Sequence, residues 1–171
     1  MANILDLNNY NVDPSAFDLR DLMQGVLDRV VTLFQSYGVP LPKRQYWTMT
    51  QPAIDCEQLV VSFIQAYLGA PGDEATTPMR CNQPRSAVLN IMLTRQTPVV
   101  GQSGQAPTAD KIQKASEITS VDGWILMQSL NLLDQWEQEG LYGPGVIATI
   151  SAGESSGGFQ SVSMQITMAV P

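Results

Sequence analysis

Between Arg85 and Arg95 apolar and polar positions alternate. Ala87, Leu89, Ile91 and Leu93 fall on one side of an extended segment, and Ser86, Val88, Asn90, Met92 and Thr94 on the other. One face is wholly apolar and the other half so, as expected of a central strand. A helical pattern then runs from Ala109 to Glu139, with Thr108 placed to cap its start. Unbroken, that helix would be about 46 Å long at roughly 1.5 Å per residue, more than the roughly 40 Å width of a domain of this size. A break is therefore expected near Ser120 to Gly123, with Asp122 capping the second piece, which carries Trp124, Ile125, Met127, Leu130, Leu133 and Trp136.

The other elements follow from the same patterns. Leu19, Leu22, Met23, Val26, Val30, Leu33, Phe34 and Tyr37 recur at helical spacing after a start signal at Asp13-Pro14-Ser15, and Gly38, Pro40 and Pro42 stop the helix. Arg44 to Thr50 is aromatic and β-branched and is closed by Pro52, which predicts an edge strand. Residues 56–68 fit both periods. A strand is preferred, because Val60, Val61 and Ile64 suit a pleated surface and the central strand needs a neighbour. Gly145 to Ala152 and Phe159 to Val170 flank a Gly/Ser turn and predict a C-terminal hairpin, in which Val162, Met164, Ile166, Met168 and Val170 share one face. The expected fold class is α+β: a mainly antiparallel sheet of four or five strands with two main helices packed on one side. Residues 1–12 read as an extended arm bearing Ile4, Leu5, Leu7 and Tyr10, and residues 13–171 as one domain. The loops at 69–84 and 99–107 are long and Pro/Gly-rich, and loops of that length are commonly functional.

Composition narrows the function classes. The chain has 171 residues, 44% hydrophobic and 15% charged, which suits a globular domain with a real core and excludes disorder. A net charge of -7 opposes unaided binding to DNA or anionic lipid. The first ten residues carry no basic residue or long apolar run, so neither a secretory signal nor a membrane span is expected there, and folding in the cytoplasm is.

No enzyme chemistry is expected. Gly153-Glu-Ser-Ser-Gly157 matches the G-x-S-x-G pattern, but the chain has no histidine to serve as base, and the match falls in a hairpin turn rather than a strand-to-helix elbow. Asp18, Asp21 and Asp28 could hold a hard cation, yet their spacing is that of a solvated helix face. Cys56 and Cys81 lack the spacing of a redox pair or metal knuckle and read as reduced thiols. Trp47, Trp124 and Trp136 read as core or interface anchors. Arg85 and Arg95 bracket the central strand, where they could contact acidic partners or serve as solubilising strand ends. No cofactor or metal is expected.

Asp55-Cys-Glu-Gln-Leu-Val60, Leu68-Gly-Ala-Pro-Gly72, Arg80-Cys81, Pro84 to Pro98, Pro107-Thr-Ala-Asp-Lys-Ile-Gln113 and Asp122-Gly-Trp-Ile-Leu126 together resemble the tail-terminator, or tail-completion, proteins of long non-contractile-tailed phages of actinobacteria. The resemblance runs from about residue 15 to the end as a pattern of elements rather than one diagnostic motif. It implies a virion structural protein: a homohexameric ring that ends the tail tube, joins tail to head and lets DNA pass without specific binding. The implied partners are further copies of the chain, the tail tube protein and a head-tail connector or stopper. An acidic wall suits passage of DNA, since a basic one would retain it. The candidate contact residues are Trp47, Asp73, Glu74, Arg85, Arg95, Val99, Gln102 and Gln105. Two alternatives stay open: a different neck component, or a small-ligand binding module that uses the tryptophan-rich helix and the sheet as a pocket.

Overall fold

The computed structural model describes residues 18–73, 84–100, 105–153 and 157–170. Its elements run α1 (Leu19–Ser36), β1 (Arg44–Thr48), β2 (Gln58–Leu68), β3 (Arg85–Gln96), α2 (Ala109–Leu130), α3 (Leu133–Gln138), β4 (Gly143–Ala152) and β5 (Phe159–Val170). The five strands form one sheet in the order β1-β2-β3-β5-β4. All pairings are antiparallel except β1 with β2, which is parallel. The expected α+β class, the antiparallel preference, the strand over 58–68 and the C-terminal hairpin are all present.

One sheet face carries the core. Leu59 and Val61 of β2, Ala87, Leu89, Ile91 and Leu93 of β3, and Val162, Met164, Ile166 and Met168 of β5 pack with Met23, Val26, Val30 and Phe34 of α1 and Ile125 and Leu126 of α2. Both main helices thus lie on the same side, as the single apolar stripe on each strand requires. Burying a side chain of this size fully stabilises by about 1.5–3 kcal/mol relative to exposure, and Phe34, Met23, Leu89, Ile91 and Met164 are all completely buried. The cluster therefore holds both main helices on this face.

The opposite face is better covered than alternation alone suggests. Val60, Val88, Ser86 and Thr94 are buried there. The connection from β1 to β2 must return the chain to a parallel start, and it crosses this face, where residues 49–54 close a cavity over Ser62, Asn90 and Met92. β2 carries a bulge between Phe63 and Gln65, which leaves Ile64 unpaired and half exposed beside that connection.

Local signals explain the ends of α1. Asp18 has extended backbone and its carboxylate accepts the Arg20 N–H at 2.8 Å, the arrangement of a helix N-cap. Asp13, Pro14 and Ser15, expected to start the helix, lie outside the described residues. At the other end Gly38 takes φ +67, its N–H bonds the Gln35 carbonyl, and the Val39 N–H bonds the Phe34 carbonyl. These two bonds make a Schellman termination, which needs the left-handed residue that glycine supplies.

The break expected at Ser120 to Gly123 is not there. α2 continues to Leu130, and the interruption falls at Asn131 and Leu132, before the short α3. Thr108 does occupy the N-cap position of α2, although its side chain makes no capping bond. The length argument is met differently: α2 spans about 33 Å at its ordinary rise, and of residues 109–114 all are exposed, so its first turns run past the sheet instead of bending over it. Asp122 is not a cap. It is completely buried and ion-paired with Arg95. Gly123 permits close packing at this point, since a Cβ there would stand 3.4 Å from the Val162 side chain.

Tyr142 joins α3 to the start of β4. Its hydroxyl donates to the Leu133 carbonyl at 2.5 Å, and burial, aided by Glu137 and Asp134, pushes its pKa up to about 12. The neutral phenol is thus favoured in the folded state, so the folded chain holds its proton where the unfolded chain has lost it. Stability is full below about pH 10, the ordinary tyrosine value, and falls as pH rises toward 12. Tyr142→Phe should flatten this alkaline decline, read as urea midpoints from pH 8 to 11.5; an unchanged slope would remove Tyr142 as its source. Thr94 offers a second check, because its buried hydroxyl has no hydrogen-bond partner among the described residues. Thr94→Val removes an unsatisfied group at constant shape and should raise unfolding stability by about 1 kcal/mol, measured by the same urea titration.

Candidate interaction surface

An apolar groove opens where α2 passes the end of α1. After Gly38 the chain turns through Val39 and Pro40, and this turn faces the first half of α2 across a groove of about 400 Å³. Val39 and Pro40 form one wall, Ile118 and Val121 the other, Ala115 the floor, and Arg95, Gln96 and Glu57 one end. At the neighbouring rim Tyr37 meets the Trp124 indole edge to face, with ring centroids 5.0 Å apart at 74°.

Arg95 holds the groove together. Its Nε donates to Asp122 Oδ2 at 2.7 Å, and Nη2 donates both to Asp122 Oδ1 at 2.9 Å and to the Pro40 carbonyl at 2.8 Å. One guanidinium therefore ties β3, α2 and the turn after α1. The Arg95 side chain is 11% exposed and that of Asp122 is 0% exposed, so both ions are largely out of water and depend on each other. Glu57 adds a tie at the same end by accepting the Gln96 N–H at 3.1 Å.

The walls are apolar and open. Ile118 is 49% exposed, Val121 44% and Trp124 45%; Met127 and Leu130 are exposed farther along α2. On an α-helix, positions 115, 118, 122, 125, 126 and 129 share one side, on which Ile118 alone is exposed, whereas 121 flanks that side and 124 and 127 lie on the outer one. α2 is thus apolar on its packed side and again on its flank, which is unusual for a helix on one face of a sheet. Lys111 and Lys114 stand exposed before this stretch, and neither forms an ion pair among the described residues.

The structure distributes the sequence-derived contact residues rather than gathering them. Arg95 is at the groove, but its guanidinium is committed to Asp122 and Pro40, which limits what it can offer a partner. Arg85 is exposed at the opposite end of β3. Trp47 is half-buried and packs against the core. Asp73 is exposed and closes its own turn, accepting the Ala70 N–H at 2.7 Å. Val99 is exposed beside Gly158, and Gln105 is exposed before α2. Glu74 and Gln102 lie outside the described residues. Tyr37, Ile118 and Val121 were not singled out in the sequence; the second apolar stripe of α2 was the available signal.

The other motifs resolve locally. Asp18 caps α1 and pairs with Arg20, Asp21 pairs with Arg20, and Asp28 accepts from Gln24 at 2.7 Å. Among the described residues no group of three or more His, Cys, Asp or Glu is arranged to hold a metal. Cys56 is free and half-buried, with Sγ 3.2 Å from Arg44 Nη1; Cys81 lies outside the described residues. Gly153 and Gly157 sit between β4 and β5, in the hairpin that the strand pattern predicts, while residues 154–156 of the serine motif are outside the described set. No described helix is long and apolar enough to cross a membrane. No family model matches the chain, and no curated protein is significantly similar to it.

Asp122→Ala leaves the Arg95 charge buried without its partner and should cost about 3–5 kcal/mol of stability. The double variant Arg95→Met with Asp122→Leu removes both ions and should recover most of that loss. Urea unfolding of the three proteins checks this; equal stabilities for wild type and Asp122→Ala would refute the role assigned to the pair.

Proposed function

We propose that this protein is a structural component of a tailed phage, a tail terminator that forms a ring at the head-proximal end of the tail tube and joins it to the head. The observation that carries the reading is the series of exposed apolar side chains that winds round the open side of α2. Ile118, Val121, Trp124, Met127 and Leu130 are exposed on a helix fixed rigidly by a buried ion pair. Five large apolar side chains exposed on successive turns of one helix of an acidic chain suit protein contact. The resemblance of the segments at 55–60, 68–72, 84–98, 107–113 and 122–126 to tail-terminator proteins supplies the assembly: a hexameric ring in the virion, built in the host cytoplasm, touching the tube protein and a connector or stopper.

In this role the chain does no chemistry and takes no cofactor. Its core and ion pair keep a frame in place, its exposed helix flank and loops meet partners, and its net charge of -7 lets DNA slide past without being held. A small-ligand module is the second reading, favoured by one observation, the groove of about 400 Å³ with apolar walls and a polar end.

Native mass spectrometry separates the two. Self-closing six-membered rings are expected of the terminator, twelve-membered rings would indicate a connector instead, and a monomer that retains a small molecule would indicate the module. In the phage, loss of the gene should give tails of abnormal length or abnormal ends by electron microscopy; normal tails would overturn the terminator reading.

A further inference from the structure

We infer that the groove between α2 and the turn after α1 receives the N-terminal segment, residues 1–12, of a neighbouring copy of the chain. The inference rests on the ring reading, which supplies the neighbour. Residues 1–12 lie outside the described residues, so what bears on them is their sequence and their reach.

The segment matches the groove in chemistry. Ile4, Leu5 and Leu7 place three aliphatic side chains within four positions, and Tyr10 adds an aromatic one. The groove offers Val39, Pro40, Ile118 and Val121 as apolar walls, with Trp124 at the rim. Charge matches as well. Asp6 sits between Leu5 and Leu7, the segment has no basic residue, and Lys111 and Lys114 precede the groove without an ion pair among the described residues. A segment carrying its own carboxylate would satisfy the lysines while its leucines fill the groove.

Reach selects the neighbour. The segment leaves from the start of α1, whereas the groove lies beside Tyr37 and Val39, at the other end of that helix. α1 is about 27 Å long. Leu7 stands eleven positions before Asp18, so at most about 38 Å of chain separates them. To enter its own groove the segment must fold back antiparallel along the whole of α1, about 27 Å of its reach, and then cross to α2 with what remains. An adjacent copy presents its groove without that constraint, and each copy gives one segment and takes one, as a head-to-tail ring requires.

The test is a cross-link in the full chain. In a Cys56→Ser, Cys81→Ser background, Leu7→Cys and Val121→Cys are introduced together and singly, and oxidised under mild conditions. The inference expects a ladder of disulfide-linked oligomers on non-reducing gels from the pair and none from either single variant. No cross-link from the pair, or only an intramolecular one, would overturn it, and so would an equal ladder from a single variant. Leu7→Asp and Ile118→Asp, the latter at an exposed position, should each raise the concentration needed for assembly at least tenfold by native mass spectrometry while leaving circular dichroism unchanged; unaltered assembly in both would also overturn it. The ring reading is tested separately by the unmodified chain. Six-membered rings without the cross-link would remove this inference and keep the ring, whereas a cross-linked ladder from a chain that forms no closed ring would do the reverse.

Discussion

The buried pair between Arg95 and Asp122 is the constraint on which the arrangement of the helices depends. Hydrophobic packing places both on one face of the sheet, but it is not directional, and a helix can slide or rotate on an apolar surface at modest expense. A guanidinium with two bonds to one carboxylate and a third to the Pro40 carbonyl has a single good geometry. It fixes the rotation of α2, its height above β3, and the position of the chain as it leaves α1. A buried ion pair is a weak source of net stability, because desolvation offsets attraction. Here its effect is on position.

That fixed position creates the open flank. With Asp122 turned inward, Ala115, Leu126 and Ser129 follow it toward the sheet, and Ile118, Val121 and Trp124 are carried toward the α1 turn, where the sheet no longer lies beneath them. The groove therefore follows from where α2 meets the α1 turn: Ile118 stays open although it shares a stripe with buried Asp122 and Ile125, and Val121 and Trp124 wind away from that stripe. Tyr37 shields part of it by meeting Trp124 edge-on, yet both rings stay substantially exposed. Exposed apolar side chains of this kind suit contact with another protein surface.

The back of the sheet makes a complementary point. β1 pairs parallel to β2, so the chain between them must cross the sheet, and it does so on the face without helices. That crossing lies over Ser62, Asn90 and Met92, and the turn after β2 takes up Ser86 through the Gly69 carbonyl, so the central strand is covered on this side as well. The two sides of the sheet thus differ in kind, with regular helix packing on one and irregular connections on the other.

The strands and the faces of α1 were legible in the sequence because a period of two or of 3.6 is a local property, set by which side of an element meets water. The Schellman stop at Gly38 was legible for the same reason, since only a left-handed residue closes it. The break in the second helix was misplaced, because a helix may overhang its sheet, and chain length alone does not say whether it bends or projects. In the sequence Asp122 carries the ordinary cap signal, a short acidic residue before an apolar run; its partner is 27 positions away, on another element. By itself the sequence determined the elements and which side of each is apolar. The tertiary structure alone decided which apolar side is covered, because that follows from a charge pair and a strand crossing between residues distant along the chain.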